Sequence, residues 1–109
     1  MDYQEVVVAM NNQELEPLTR WGIARKNYLL EHKKSLVRQL GVIGLHKHCL
    51  EIQEQAQRRK DYMMSAIRKD PRNKVTESDK AQDPMAWVGR MNNYQNSICE
   101  IIYVELIYT

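Results

Sequence analysis

The chain has 109 residues, which is enough for one small domain with one hydrophobic core. It has no Phe, four Gly and three Pro, and it is rich in Gln, Glu, Lys, Arg, Leu and Met, which favour helices. This composition disfavours a fold of strands and turns and predicts an all-α fold. The net charge of +2 does not by itself indicate a polyanionic or polycationic partner. The distribution of charged residues along the chain is more informative.

The charges fall into three blocks. Residues 1–19 carry a net charge of −4, residues 20–74 carry +9, and residues 75–109 carry −3. Such an asymmetry indicates either a polyanionic partner for the middle of the chain or attraction between the chain's own segments.

Membrane insertion and secretion are not expected. No apolar run approaches the roughly 20 residues that span a bilayer, and the start lacks the basic and apolar regions of a signal peptide. Cys49 and Cys99 show no paired spacing, so reduced thiols are the simplest interpretation. These features predict a cytoplasmic protein.

Residues 1–17 are predicted to form a short extended N-terminal arm, followed by a helical domain over residues 18–109. The arm contains Val6, Val7 and Val8, a run suited to a strand, but an isolated strand is not stable. A flexible arm that docks on a neighbour is the alternative.

The first helix is predicted from about Arg20 into the thirties, with Thr19 or a nearby residue as its N-cap. Gly41 and Gly44 predict a tight turn between them. The pattern leaves open whether residues 35–40 continue the first helix or form a short one. The second long helix is predicted from about Leu45 to Lys69.

The third long helix is predicted over residues 84–107, with Asp83 as N-cap and Pro84 at its first position. Before it, residues 76–79 have a weak capping sequence for a short helical turn. The two long helices have similar lengths and opposite directions, so we expect an antiparallel helical hairpin. With the first helix packed across it, the prediction is a three-helix bundle.

Enzymatic and metal chemistry are not predicted. His46, His48 and Cys49 suggest a metal site, but His46 and His48 point to different sides of a helix and no second cluster completes a tetrahedral set. The ordinary start of a helix is the preferred interpretation. Glycine-rich phosphate loops, serine elbows and paired carboxylates in an apolar context are missing from the sequence. We therefore expect no catalytic residues, no metal and no cofactor.

The basic middle of the chain predicts contacts with the phosphates of DNA. Residues 35–40, the predicted turn and the helix after it are arranged loosely like a helix-turn-helix, and a second basic cluster lies further along. A solvated face neutralised by the acidic termini is the alternative. The candidate phosphate-binding residues are Arg25, Lys26, Lys33, Lys34, Arg38, Lys47, Arg58, Arg59 and Lys60.

Residues 87–93, WVGRMNN, carry small and amide side chains that a helix built for stability would avoid. Helical spacing places several of them, together with Tyr103, opposite the predicted core. An uncharged outer face suits close approach by another helix or by a nucleic acid, and Arg and Asn can read base edges. The alternative is that Gly89 merely admits Trp21. The candidate contact face is Gly89, Arg90, Asn92, Asn93 and Asn96.

The same heptapeptide, followed by Ile98 and the ending ELIY, closely resembles the transposon-encoded TnpV family. Trp21 and Gly22, the basic first helix and residues 52–56 agree with it, so the likeness covers about residues 18–109. Family members are small proteins carried on mobile elements of Gram-positive anaerobes. Two departures are the short arm before Pro17 and the Asp83–Pro84 pair, where relatives tend to continue a helix.

The resemblance implies an accessory role in transposition, excisionase-like or regulatory, and implies no enzymatic activity. The sequence therefore predicts a non-enzymatic protein that binds DNA, or a transposon recombinase on DNA. The alternative is a structural α-helical homodimer that acts as a protein-interaction module without touching DNA.

Overall fold

A computed structural model describes residues 16–109, and within them the fold is all-α, as predicted. There are four α-helices in this part of the chain and no strand. They are α1 (Arg20–His32), α2 (Lys34–Lys69), α3 (Glu77–Gln82) and α4 (Pro84–Ile102). A 3₁₀ turn, Pro71–Asn73, follows α2, and a π-helical turn, Tyr103–Ile107, follows α4. Most of the predicted arm lies outside the described residues.

The helix count differs from the three predicted, since the capping sequence before α4 forms a helix of its own. The Thr76 hydroxyl accepts a hydrogen bond from the Asp79 amide, and the Asp79 carboxylate accepts one from the Thr76 amide, which completes a capping box. Asp83 then caps α4 through the Ala86 amide at 3.1 Å, with Pro84 at the first position. The predicted start of the last helix is confirmed.

The predicted turn at residues 41–44 is narrower than expected. Gly41 alone leaves helical geometry, with φ 71° and ψ 179°, while residues 34–40 and 42–69 are helical on either side of it. Because this backbone conformation is essentially restricted to glycine, one residue is enough to kink the helix. Residues 35–40 therefore belong to α2, and α1 ends before them at His32.

Two hydrophobic clusters hold the helices together. The larger one joins α1, α2 and α4 and contains Trp21, Ala56, Met64, Val75, Met91, Ile98, Ile102 and Ile107. The smaller one lies where α1 meets the beginning of α2 and is built on Leu29, Leu45 and Cys49. Each cluster removes several large apolar side chains from water, which is the main favourable term in folding.

A close approach between α1 and α2 explains Gly22. A Cβ atom at this position would clash with the Gln53 side-chain oxygen and would lie 2.9 Å from a Leu18 methyl carbon. That Gln53 oxygen accepts a hydrogen bond from the Thr19 amide at 2.7 Å, at the start of α1. Gly22 therefore lets the first turn of α1 sit against α2.

The end of the chain differs from the regular helix that was predicted. The π-helical turn changes the register after Ile102, so Ile107 is buried whereas Glu105 and Tyr108 are exposed. Arg59 of α2 forms an ion pair with Glu105, and Tyr94 of α4 donates to the Asn73 side chain at 3.2 Å. These contacts join the late part of the chain to α2 and to the turn after it.

None of the helices in residues 16–109 combines the length and the apolar character needed to cross a bilayer.

Candidate nucleic-acid interface

Five of the predicted phosphate-binding residues are exposed from α1 to the first part of α2, the two segments that the smaller hydrophobic cluster joins. None of them forms an ion pair with another residue of the described chain. We call this set the basic end: Lys26, Lys33, Lys34, Arg38 and Lys47.

The kink at Gly41 positions part of the basic end. It lets residues 34–40 fold against α1, where Leu36, Val37 and Leu40 pack on the smaller cluster. Since those side chains face inward, Lys34 and Arg38 lie four residues apart on the opposite side of the same short segment. The Arg38 Nε also donates to the Lys34 carbonyl at 3.5 Å, a weak contact that leaves most of the guanidinium free.

Arg25 does not belong to this surface. It is 7% exposed, and its Nη1 donates to the main-chain oxygens of Ile107 at 2.9 Å and Thr109 at 3.0 Å. Its Nε donates to His48 Nε2 at 3.2 Å. The guanidinium is thus occupied inside the fold, where it fastens the end of the chain to α1. We therefore exclude Arg25 from the proposed phosphate-binding residues.

The second basic cluster is partly neutralised. Arg58 pairs with Glu54 at 3.3 Å, as the i,i+4 spacing predicts, and Arg59 pairs with Glu105. Lys60 is half-buried. Each of the two ion pairs offsets a cation that phosphate would otherwise meet, so this cluster offers a weaker anion-binding surface than the basic end.

His46, His48 and Cys49, which suggested a metal site, have three different environments in the fold. His46 Nε2 lies 2.9 Å from the Glu16 carbonyl, and His48 accepts the hydrogen bond from Arg25. Cys49 is fully buried, and this burial raises the pKa of its thiol. Among residues 16–109, no three His, Cys, Asp or Glu side chains converge in a way that could hold a metal ion.

The predicted contact face on α4 is open to solvent at its centre. Gly89, Asn92, Asn93 and Asn96 are exposed, and a Cβ added at Gly89 would meet no atom of the described chain within 4 Å. Gly89 therefore does not admit Trp21, and that alternative is wrong. We call these four residues, with Met85 and Val88, the α4 outer face; Met85 is 85% exposed and Val88 48%.

Two residues assigned to that side of α4 lie elsewhere. Arg90 is half-buried and its Nη1 reaches the Lys74 carbonyl at 3.4 Å, so it helps to hold the turn before α3. Tyr103 is half-buried against Trp21, with ring centroids 5.1 Å apart. Arg90 is covered by the segment between α2 and α3, and Tyr103 is covered by α1. The spacing of residues along α4 does not reveal these contacts.

Comparison with known proteins decides the family. A family model described as "Transposon-encoded protein TnpV" matches residues 2–107, nearly the whole chain. The chain belongs to the TnpV family. No curated protein and no solved structure shows a significant match. The matched residues include those of the basic end and of the α4 outer face.

One feature of this TnpV protein was missed in the sequence. Five aromatic rings follow one another from the core to the surface, with neighbouring centroids 4.9 to 5.6 Å apart. We call them the aromatic row: Trp21, Tyr103, Tyr108, Tyr28 and His32. Tyr28 and His32 are at i,i+4 spacing, which was a usable signal. The contact between Tyr28 and Tyr108, which are 80 positions apart, cannot be predicted from a local sequence pattern.

Proposed function

We propose that this TnpV protein is a non-enzymatic accessory protein of a mobile element that binds DNA through the basic end. The observation that carries the proposal is the group of five exposed cations without ion-pair partners in residues 16–109. The family's link to transposons supplies the biological setting. An excisionase-like or regulatory role, exerted on DNA or on a recombinase bound to it, is part of the same proposal.

Electrostatics supports DNA as the partner. Lysine and arginine side chains that meet phosphates release condensed counterions, so a surface with five free cations gives affinity that falls steeply with salt. Ion-paired cations contribute less, because binding phosphate requires breaking or sharing the existing pair. Lys34 and Arg38 should therefore contribute more to DNA affinity than the ion-paired Arg58 and Arg59.

Fluorescence anisotropy with a labelled duplex from the element's ends tests the proposal at 50 mM salt, a concentration at which about five phosphate contacts are still strong. Lys34→Glu combined with Arg38→Glu is expected to abolish binding. The matched control is Arg68→Glu with Lys69→Glu, an equal charge change at the other end of α2. Absence of wild-type binding, or equal loss in both double variants, would refute the proposed interface.

A homodimer formed through the α4 outer face is the second candidate function. A two-fold interface brings the same surface patch of both copies together, so a face with charges of one sign would repel its own copy. The stripe Met85, Val88, Gly89, Asn92 and Asn96 is uncharged, and amide groups both donate and accept hydrogen bonds. The open position at Gly89 and the exposed Met85 favour close approach of a second helix.

Light scattering on the wild type and on Gly89→Leu separates the two functions. In the monomer the leucine would project into open space, so the variant should fold normally. A wild-type dimer that becomes a monomer in the variant, with no DNA binding in either, supports the interaction module. A wild-type monomer excludes it.

A further inference from the structure

A groove lies between α1 and the end of the chain, next to the basic end. Its volume is about 490 Å³, and it is open to solvent along one side. Its lining combines three rings, one small residue and two polar side chains: Tyr28, His32, Tyr108, Ala24, Asn27 and Glu31. Neither the candidate phosphate-binding residues nor the α4 outer face accounts for it.

Two rings of the groove, Tyr108 and His32, are exposed and the third, Tyr28, is half-buried, and neighbouring rings hold them in place. Tyr108 is 52% exposed, yet its ring stacks on Tyr103 with an interplanar angle of 19° and a centroid distance of 5.4 Å. Tyr28 lies 5.6 Å from Tyr108 and 4.9 Å from His32. Rings that are fixed on one side and free on the other offer stacking surfaces to a planar ligand at little entropic cost.

Two polar side chains give the groove hydrogen-bonding capacity. Asn27 and Glu31 are four residues apart on α1, so they lie on the same face of the helix, and both are exposed. A carboxylate accepts hydrogen bonds from the exocyclic amine of cytosine, and an asparagine amide pairs with adenine in a bidentate manner. The Glu31 carboxylate lies 3.8 Å from the His32 Nε2, too far for a hydrogen bond, which leaves the carboxylate available.

Aromatic rings beside a carboxylate could bind either a cationic side chain or a neutral base. The charges around the groove favour the base. The Arg25 guanidinium already lies 5.9 Å from the Tyr28 ring centroid, behind the groove. Lys26 precedes Asn27 on α1 and Lys33 follows His32, and both are exposed without an ion pair in residues 16–109, so cations flank the lining. A cationic ligand would be attracted by Glu31 but repelled by these lysines, whereas a neutral base would bring its phosphates towards them.

We propose that the groove binds an unpaired nucleobase carrying an exocyclic amine, adenine or cytosine, from a single-stranded segment of the DNA held by the basic end. The base stacks on Tyr108 and Tyr28, and Glu31 and Asn27 contact its edge. This assignment rests on the proposed DNA binding and adds the substrate class to it.

The test is anisotropy with short single-stranded homopolymers of dC, dA and dT and with a blunt duplex. Tyr108→Ala should weaken binding of the dC and dA strands about tenfold, as expected for one lost stacking contact, and leave duplex binding unchanged. Tyr108→Phe should bind like the wild type. Tyr62→Ala is the matched control, since Tyr62 is 77% exposed on α2, far along the chain from the groove.

Glu31→Gln provides a second variant that does not depend on the aromatic packing, because this side chain is 76% exposed. An amide is a weaker acceptor for the cytosine amine than a carboxylate but can still pair with adenine, so the preference for dC over dT should fall by several fold while binding of dT and dA is retained. Circular dichroism melting checks that each variant is folded.

The outcomes separate this inference from the proposed function. If the basic-end double variant loses duplex binding but Tyr108→Ala and Glu31→Gln bind every strand like the wild type, the groove assignment is overturned and the basic end stands. Tighter binding of the same sequences as RNA, lost in Tyr108→Ala, would overturn DNA as the source of the base. Absence of binding to all nucleic acids would overturn both proposals.

Discussion

Arg25 and Lys26 are neighbours in the sequence with opposite environments. Lys26 is exposed at the basic end, whereas Arg25 is buried and donates three hydrogen bonds that join α1 to His48 and to the end of the chain. Composition and spacing gave both residues the same predicted role. The difference depends on where the chain ends in space, and that information is not local to α1.

Arg25→Met should lower the free energy of unfolding by about 2–3 kcal/mol, because the carbonyl of Ile107 loses a charged donor in a buried setting. Lys26→Met is the control and should change it by less than about 0.5 kcal/mol, as is usual for an exposed site. Urea denaturation followed by circular dichroism measures both values. Equal effects would contradict the described role of Arg25.

His48 should make stability depend on pH. Burial, and to a lesser degree the Arg25 guanidinium, lower the pKa of His48 in the fold, against a smaller opposing effect of Glu51. The unfolded chain then binds a proton more readily than the fold as pH falls below about 6.5. Stability is therefore full above that pH and is lost progressively as pH falls towards the lowered folded pKa.

His48→Gln removes the titrating group but keeps an acceptor for the Arg25 guanidinium. The wild type should lose stability as the pH falls below about 6.5, while the variant should show a flatter profile there. Thermal melting across this range provides the measurement. Parallel wild-type and variant profiles would show that another group controls the dependence.

Among the helices, the features that local chemistry specifies were predictable. The Asp83–Pro84 pair placed the start of α4 correctly, since an N-cap acceptor and a proline at the first position act within one turn. The family resemblance implied a continuous helix at this pair, but α4 begins here. Likewise Thr76 and Asp79 specify the start of α3 through their reciprocal hydrogen bonds.

Features set by contacts between distant residues were not predictable. The π-helical turn brings Ile107 into the core and turns Glu105 towards Arg59, and neither change has a signal in the hydrophobic spacing. The extent of the break in α2 was also missed, because a pair of glycines indicates flexibility without showing which one leaves the helix. Within the candidate site, the exposure of the basic end was predictable because lysines are rarely buried. The aromatic row was not predictable, because it depends on contacts between distant residues.

Gly41, at the kink of α2, and Gly89, within α4, should respond in opposite ways to alanine, although an added Cβ has open space at both positions. Gly41→Ala should lower the free energy of unfolding by about 1–3 kcal/mol, because alanine is strained at φ 71° and ψ 179°. Gly89→Ala should raise it by about 1 kcal/mol through helix propensity. Chemical denaturation measures both, and the same sign for both would contradict the kink at Gly41.

At the scale of the whole molecule, the charge blocks of the sequence acquire a spatial meaning. Part of the positive middle block is neutralised by ion pairs, as Arg59 is by Glu105 from the acidic third block. Another part, the basic end at the junction of α1 and α2, is exposed and has no acidic partner in residues 16–109. Attraction between the chain's own segments therefore accounts for the first part, and a polyanionic partner is what we propose for the second.

This division predicts how binding should depend on salt. Each phosphate contact contributes about −0.9 to the slope of log affinity against log salt on duplex DNA, so five contacts give a slope of about −4.5. Lys34→Gln with Arg38→Gln removes two contacts and should reduce the slope by about 2. Arg58→Gln, which removes a cation already paired with Glu54, should change it by less than a full contact.

The slope of duplex affinity against salt, measured for the wild type and these two variants, is therefore the most direct test of DNA binding through the basic end. We predict a steep wild-type slope that the Lys34 and Arg38 substitutions reduce far more than the Arg58 substitution. A wild-type affinity independent of salt, or an equal reduction per cation removed at both places, would contradict the account.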